Sequence, residues 1–464
     1  MTDWMRRKAV DLDSLSPDRR LSRTLSWWHL TALGVGAIVG TGIYTLVGVG
    51  ASLAGPGVIL SFLIAGMICA CAALAYAEVA TMIPVSGSAY TYSYVVLGEI
   101  IAWIVGWSLI LEYSLVVSTV AVGWSGYVTG FLASVGLPLP AMLTAGPYAA
   151  GLINLPAMAI IAAVAAMLAA GTRESATVNA LLVVVKILAL AVFIWVALPH
   201  FHLAAFHPFL PYGFAGHDVA GAPRGVMAAA AIIFFAFYGF DAISTAGEEA
   251  KNPGRDLSIG IVGSLLICTL IYVGVAAAAV GSMPFTEYAQ SAEPLALILR
   301  RLGAGGAAAV IGAAAVIALP TVILAFLYGQ SRIFFVMARD GLLPPVLAQV
   351  HARTGTPMRI TLVTAAIVAV LAGLIPLADI AALANAGTLL AFTAVAVCML
   401  VLRRRAPGQE RRFRTPLAWL VGPCAILGCL YLFGNLPERT RLFFFAWNGV
   451  GLIYYVVWKK RRAA

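Results

Sequence analysis

Residues 34–44 read Gly34-Val35-Gly36-Ala37-Ile38-Val39-Gly40-Thr41-Gly42-Ile43-Tyr44. Four glycines stand within nine residues of an apolar run. Each costs a helix interior about 1 kcal/mol relative to alanine, so an unbroken helix is disfavoured here. Gly36 and Gly40 also make a G-x-x-x-G pair, the pattern that lets two membrane helices approach closely, and on these residues alone both readings stand. A dinucleotide loop is excluded, because three residues rather than two separate Gly36 from Gly40 and no strand precedes them. In lipid every backbone N–H and C=O must be satisfied, so a broken helix survives only where it lines a cavity or is covered by protein. A break inside a membrane segment therefore points to a site.

That this run lies in a membrane follows from the rest of the chain. Of 464 residues, 62% are hydrophobic and 10% charged, with a mean hydropathy of +0.97. Soluble domains are about 45–50% apolar and about 25% charged, so the soluble class is excluded, and with it secreted disulfide scaffolds, fibres and disordered chains. Apolar windows of helix length fall at about 28–54, 57–82, 98–123, 155–171, 177–198, 225–250, 257–281, 306–335, 359–376, 381–402, 417–435 and 440–458. They predict an all-α integral membrane protein with 12 transmembrane helices. An even number places both termini on one side, and counting Lys and Arg with alternating sides puts 23 on that side against 5 on the other. Positive charge stays cytoplasmic, so both termini are expected in the cytoplasm. The excess of 29 basic over 19 acidic residues thus orients the chain, and no nucleic-acid partner is expected. The first 25 residues are polar, which predicts a retained first helix rather than a cleaved signal. The six cysteines sit in apolar stretches without zinc spacing, so no metal is expected.

The predicted organisation is a cytoplasmic tail at 1–27, a core at 28–402 and two further spans with a basic tail at 403–464. Within the core the halves run about 28–198 and 225–402. The exterior loop around 124–154 is Gly/Pro-rich. The stretch Pro84–Gly98, with Tyr90, Tyr92 and Tyr94 alternating with small residues, is either a helix lying on the membrane or a plain loop.

A second interruption lies in the sixth window: Phe234-Phe235-Ala236-Phe237-Tyr238-Gly239-Phe240-Asp241-Ala242-Ile243-Ser244-Thr245. Gly239 beside Asp241 reads as a turn, with Asp241 able to cap the half-helix that follows, either as part of a site or as a buried cap alone. Breaks in windows 1 and 6 correspond if spans 1–5 and 6–10 are inverted copies, and such pairs mark the binding site of secondary transporters. Free N–H groups around Val39, Gly40, Thr41 and Gly42 suit a carboxylate at a helix start. Carbonyls near Phe237, Tyr238 and Gly239, and those ending the first half of span 1, suit an ammonium. Together they fit an α-amino acid. Of the aromatic cluster, Phe235 is the expected gate, against the plainer reading of helix packing.

Ionisable groups inside spans cost at least about 2.5–3.5 kcal/mol on insertion scales and need reasons. Lys186 sits about nine residues, roughly 13 Å, from its helix end, too deep to snorkel. Burial disfavours its charge, which makes it a candidate proton-coupling group, against a fixed structural cation. Glu112, with Ser108 one turn earlier, lines the pocket and meets a cationic side chain, or bonds a neighbouring helix. Glu78, near a helix end, suits a structural or gating bond.

Further pieces are Gly55-Pro56-Gly57, Ile59-Leu60-Ser61-Phe62, Pro84-Val85-Ser86-Gly87-Ser88-Ala89-Tyr90, Gly106-Trp107, Leu109-Ile110-Leu111, Glu248-Glu249-Ala250-Lys251-Asn252-Pro253 and Arg339-Asp340-Gly341-Leu342-Leu343-Pro344. Through these, with both broken runs, the chain resembles the amino acid–polyamine–organocation (APC) superfamily, and within it the cationic amino acid transporter family in its bacterial 12-span form. The resemblance implies a 5+5 inverted repeat of the LeuT-like kind, with the carboxylate at Gly40–Gly42 and the amino group near the second break. It also implies that Lys186 stands in for sodium, as in proton-coupled members. Ser108 stands where some bacterial relatives carry an acidic residue, which weakens arginine or lysine as substrate against small neutral amino acids.

The expected function is secondary active amino acid transport in a bacterial inner membrane, proton-coupled, by alternating access between spans 1, 3, 6 and 8. An exchanger or a polyamine carrier on the same fold is the alternative. No enzyme is expected, since no H-E-x-x-H or paired nucleophile is present. The expected partners are an α-amino acid and lipid, with no cofactor beyond the coupling proton and no obligate protein partner.

Overall fold

The computed structural model describes residues 7, 25–83, 87–170, 176–218, 221–245, 250–289, 291–349 and 358–463. Most of the tail predicted at 1–27, the start of the Pro84–Gly98 stretch and Glu248-Glu249 lie outside them. Every one of the twelve apolar windows carries helix. The first holds α1 (Trp27–Ile38), α2 (Thr41–Tyr44) and α3 (Leu46–Ala54); the second holds α4 (Val58–Met82). There follow α5 (Ser88–Val96), α6 (Glu99–Ser134), α7 (Leu155–Ala169) and α8 (Ala176–Ala197). The sixth window holds α9 (Val226–Ile233), a 3₁₀ turn (Phe234–Phe237) and α10 (Phe240–Thr245). Beyond it run α11 (Pro253–Ser282), the short α12 (Phe285–Tyr288) and α13 (Pro294–Arg301), then α14 (Gly305–Arg339), α15 (Met358–Leu374), α16 (Leu377–Arg405), α17 (Ala418–Gly434) and α18 (Glu438–Ala463). A two-residue hairpin, β1 (Gly216–His217) with β2 (Pro223–Arg224), decorates a loop. Among the described residues, seven helical segments are long and apolar enough to cross a membrane, and four apolar helices are shorter. The chain is an all-α, multi-pass membrane protein.

Local chemistry sets the helix ends. Asn154 caps α7 by accepting the Ala157 N–H at 3.2 Å, with Pro156 in the first turn, where its missing N–H costs nothing. Pro320 sits inside α14 and cannot donate to Val316, four residues earlier. Trp124 of α6 fills the gap, its Nε1–H meeting the Val316 carbonyl at 2.8 Å. α6 packs most extensively against α14 and α16, and α11 against α1 and α4.

Two expectations change. The first third of the loop expected around 124–154 is helical, because α6 runs on to Ser134 with its Gly and aromatic positions packed on neighbours. The Tyr-rich stretch forms α5, a helix rather than a plain loop, packed against the protein. Tyr90, Tyr92 and Tyr94 are buried. The Tyr90 hydroxyl donates to Asp340 Oδ2 at 3.0 Å and that of Tyr94 to Glu99 Oε2 at 3.1 Å, so their polar tips find protein rather than water.

Candidate functional site

The first window unwinds where the glycines stand. α1 ends at Ile38; Val39 (ψ 95°) and Gly40 (φ −147°, ψ −153°) are extended, and α2 starts at Thr41. The N–H groups of Thr41 and Gly42 precede the first bond of the new helix, which Ile43 N–H donates to the Gly40 carbonyl at 3.2 Å. The sixth window tightens from α9 into the 3₁₀ turn, then passes through extended Tyr238 (ψ 150°) to Gly239 at φ +114°. Only glycine adopts that left-handed conformation without strain.

The two interruptions touch through those glycines. A methyl added at Gly42 would overlap the Ala236 backbone, and one at Gly239 would lie 2.7 Å from the Ala37 carbonyl carbon. Gly40 differs, since its added methyl would find Val322 at an ordinary 3.6 Å. The Ile38 carbonyl oxygen would lie 3.9 Å away, also an ordinary contact, so the methyl would find room there.

That room belongs to a small cavity of about 10 Å³, space for about one water, lined by Ala37, Ile38, Gly40, Thr41, Gly42, Val116, Val120, Phe235, Tyr238, Val322 and Phe326. Of the expected binding residues, Gly40, Thr41, Gly42, Phe235 and Tyr238 meet here. One end presents peptide groups of the first break. The rest is aliphatic and aromatic, with no carboxylate, ammonium, guanidinium or imidazole among the described lining residues. The Phe235 and Tyr238 rings lie 5.0 Å apart, are buried and both line the cavity.

Lys186, 1% exposed, reaches from α8 to the end of α1. Its Nζ donates to the Gly36 carbonyl at 2.9 Å and to Thr321 Oγ1 on α14 at 3.2 Å. The Gly36 carbonyl is one of those a helix leaves without a partner at its C-terminus. Tyr272 on α11 serves the next such group, donating to Ile38 O at 2.8 Å. The carbonyls expected to take a substrate's ammonium are therefore partly occupied by the protein's own donors.

At the second break the corresponding work falls to Asn385 on α16, which the sequence reading passed over. Its Nδ2 donates to Ala231 O at 2.6 Å and Ile232 O at 3.0 Å, and its Oδ1 accepts the Tyr238 hydroxyl. The spacing from Gly40 to Lys186 along the chain equals that from Gly239 to Asn385.

Other expected residues are placed elsewhere. Ser108 turns from the cavity to α18, donating to Asn448 Oδ1 at 3.1 Å. Phe237 packs on Phe62 and Tyr272, with centroids at 6.4 and 5.4 Å. Val39 forms the break itself, its side chain in the core. Glu112 is buried beside Gly387, and its Oε2 has no partner among the described residues. Asp241 is not the cap of α10, a place Gly239 takes by geometry. It stands in the first turn, where the helix dipole favours a carboxylate, with the Tyr113 hydroxyl 3.4 Å from its Oδ2. Neither carboxylate lines the cavity. Glu78 makes a structural clamp: Arg403 holds both its oxygens at 2.8 and 2.6 Å, Arg411 reaches it at 3.2 Å and Thr415 N–H at 2.8 Å.

Comparison with known proteins agrees with this architecture. A family model described as amino acid permease matches residues 25–457. The chain is 44% identical over 464 residues to the branched-chain amino acid permease BcaP of Bacillus subtilis (strain 168), covering 99% of this chain and 98% of that one. It is 40% identical over 467 residues to the methylthioribose transporter of the same organism, covering 100% and 99%. To the vacuolar cationic amino acid transporter 4 of Arabidopsis thaliana it is 36% identical over 417 residues, 88% of this chain and 68% of the relative. The chain belongs to the amino acid permease family, within the APC superfamily: it is a transporter, not an enzyme.

Proposed function

Starting from that membership, we propose that the chain imports neutral, apolar α-amino acids of the branched-chain kind across a bacterial plasma membrane, coupled to protons, by alternating access. The observation that carries the substrate class is the cavity itself, where bare peptide groups at Thr41 and Gly42 face a wall of Val116, Val120, Val322, Phe326 and Phe235. A carboxylate gains two charge-assisted hydrogen bonds at the helix start. A branched aliphatic side chain gains about 25 cal/mol per Å² on leaving water for that wall. A lysine, arginine or polyamine would bring a cation into a lining without an anion, at a cost of several kcal/mol. The likeness to the branched-chain permease of Bacillus subtilis supports the same class.

The equal spacing from each break to its bonding residue supports twelve spans with an inverted repeat, spans 5 and 10 supplying Lys186 and Asn385. Both termini are then cytoplasmic, as the basic residues require. A protonated Lys186 holds Gly36 and Thr321 together. Loss of its proton weakens the link between α8, α14 and the end of α1, and frees that end to move. The proton takes the place of a sodium ion at these oxygens, and no further cofactor is needed.

A thermal-shift screen of the purified protein against the common amino acids, putrescine and methylthioribose tests the substrate class. Leucine, isoleucine and valine are expected to raise Tm most. Stabilisation by arginine, lysine or putrescine instead would overturn it.

A further inference from the structure

Asn385 lies about a third of the way along α16 with none of its surface exposed. Its two Nδ2 hydrogens go to Ala231 O and Ile232 O, in the last turn of α9, where the chain gives up α-helical bonding for the tighter 3₁₀ turn. Its Oδ1 takes the hydroxyl of Tyr238, which lines the cavity beside Phe235. One side chain thus joins α16, the end of α9 and a residue that lines the pocket.

We infer that Asn385 is a positioning residue for transport, fixing the second break and setting Tyr238 over the pocket through hydrogen bonds that carry no charge. It rests on the transporter reading above, and is the counterpart of Lys186 at the other break. The side-chain type matters, because two carbonyls and one hydroxyl need two donors and one acceptor, and an amide supplies both without a net charge to bury. The titratable groups facing this junction are Tyr238 itself, Glu112 from α6, Cys69 from α4 and Asp241 from α10. None of them replaces the donors to Ala231 and Ile232.

The test is Asn385→Asp, which keeps the volume and exchanges the two N–H donors for a carboxyl. Ionised, it has nothing to donate and sets a negative charge against two carbonyl oxygens; protonated, it regains one O–H donor. Labelled leucine binding and hydrogen exchange over Val226–Tyr238 are measured on purified protein at pH 8 and pH 5, each as a ratio to wild type at the same pH. Expected at pH 8 are affinity at least about tenfold below wild type, as loss of hydrogen bonds to buried groups implies, and faster exchange. Both recover at pH 5 to within about threefold, when the O–H returns. Asn385→Ala should lose both at either pH. Equal loss for Asn385→Asp at both values, unchanged exchange, or no folded protein at either pH would overturn the proposal. Hydrogen exchange needs neither a proton gradient nor a bound substrate. A wild type that fails to accumulate leucine with a pH gradient would sink the importer reading and leave this one to its own result.

Discussion

The two breaks solve one problem with different chemistry. Each has carbonyls at the end of a half-helix that a buried side chain reaches as a donor. At the first, Lys186 brings an ammonium to Gly36 and Thr321; at the second, Asn385 brings an amide to Ala231 and Ile232. An ammonium that loses its proton loses a donor and its charge, whereas an amide keeps its donors at any physiological pH. On the proposed proton coupling, the contrast puts proton dependence at the first break and constancy at the second.

The largest effect expected from breaking this contrast is at Lys186. Lys186→Ala should abolish leucine accumulation driven by a pH gradient in proteoliposomes while leaving energy-independent counterflow measurable. Accumulation equal to wild type would remove the asymmetry. Next comes the contact between the breaks. Gly42→Ala drives a methyl into the Ala236 backbone, which must shift, at about 1–3 kcal/mol for overpacking. A fall of several degrees in Tm and roughly tenfold slower uptake are expected, and an unchanged Tm would show that the breaks do not touch. The smallest effect sharpens the picture of the pocket. Gly40→Ala meets Val322 at 3.6 Å and the Ile38 carbonyl oxygen at 3.9 Å, both ordinary contacts, so the fold should stand while the pocket narrows by a methyl. Isoleucine uptake should drop by about tenfold or more beyond alanine uptake, the scale of one methylene in an apolar pocket. Equal losses for both substrates would place the substrate's side chain elsewhere.

How much of this was written in the sequence depends on the cost of each residue where it stands. Gly34–Tyr44 and Phe234–Thr245 stood out because glycine is expensive in a helix, and Lys186 because a charge is expensive in lipid. Asn385 carries no charge, so it raised no alarm in Leu383-Ala384-Asn385-Ala386-Gly387, though an amide in the middle of an apolar window is itself a signal. The wall formed by Val116, Val120, Val322 and Phe326 had no signal, since nearly every residue of these helices is apolar. Ser108 was drawn toward the pocket by its place one turn from Glu112. α6 is enclosed by protein on most sides, so its polar residues have several directions to face, and Ser108 found Asn448 on α18. The partners of Glu78 lie at 403–415, too far along the chain for any spacing rule to connect.

The central claim is that two unwound stretches meet in mid-membrane and hold the substrate's carboxylate on peptide N–H groups. A cryo-electron microscopy structure with leucine bound tests it most directly. The expected result is a carboxylate within about 3 Å of the Thr41 and Gly42 nitrogens, the hydrogen-bond distance, and an isobutyl group against Val116, Val120 and Phe326. Leucine bound away from the first break, or α1–α3 and α9–α10 traced as continuous helices, would contradict it.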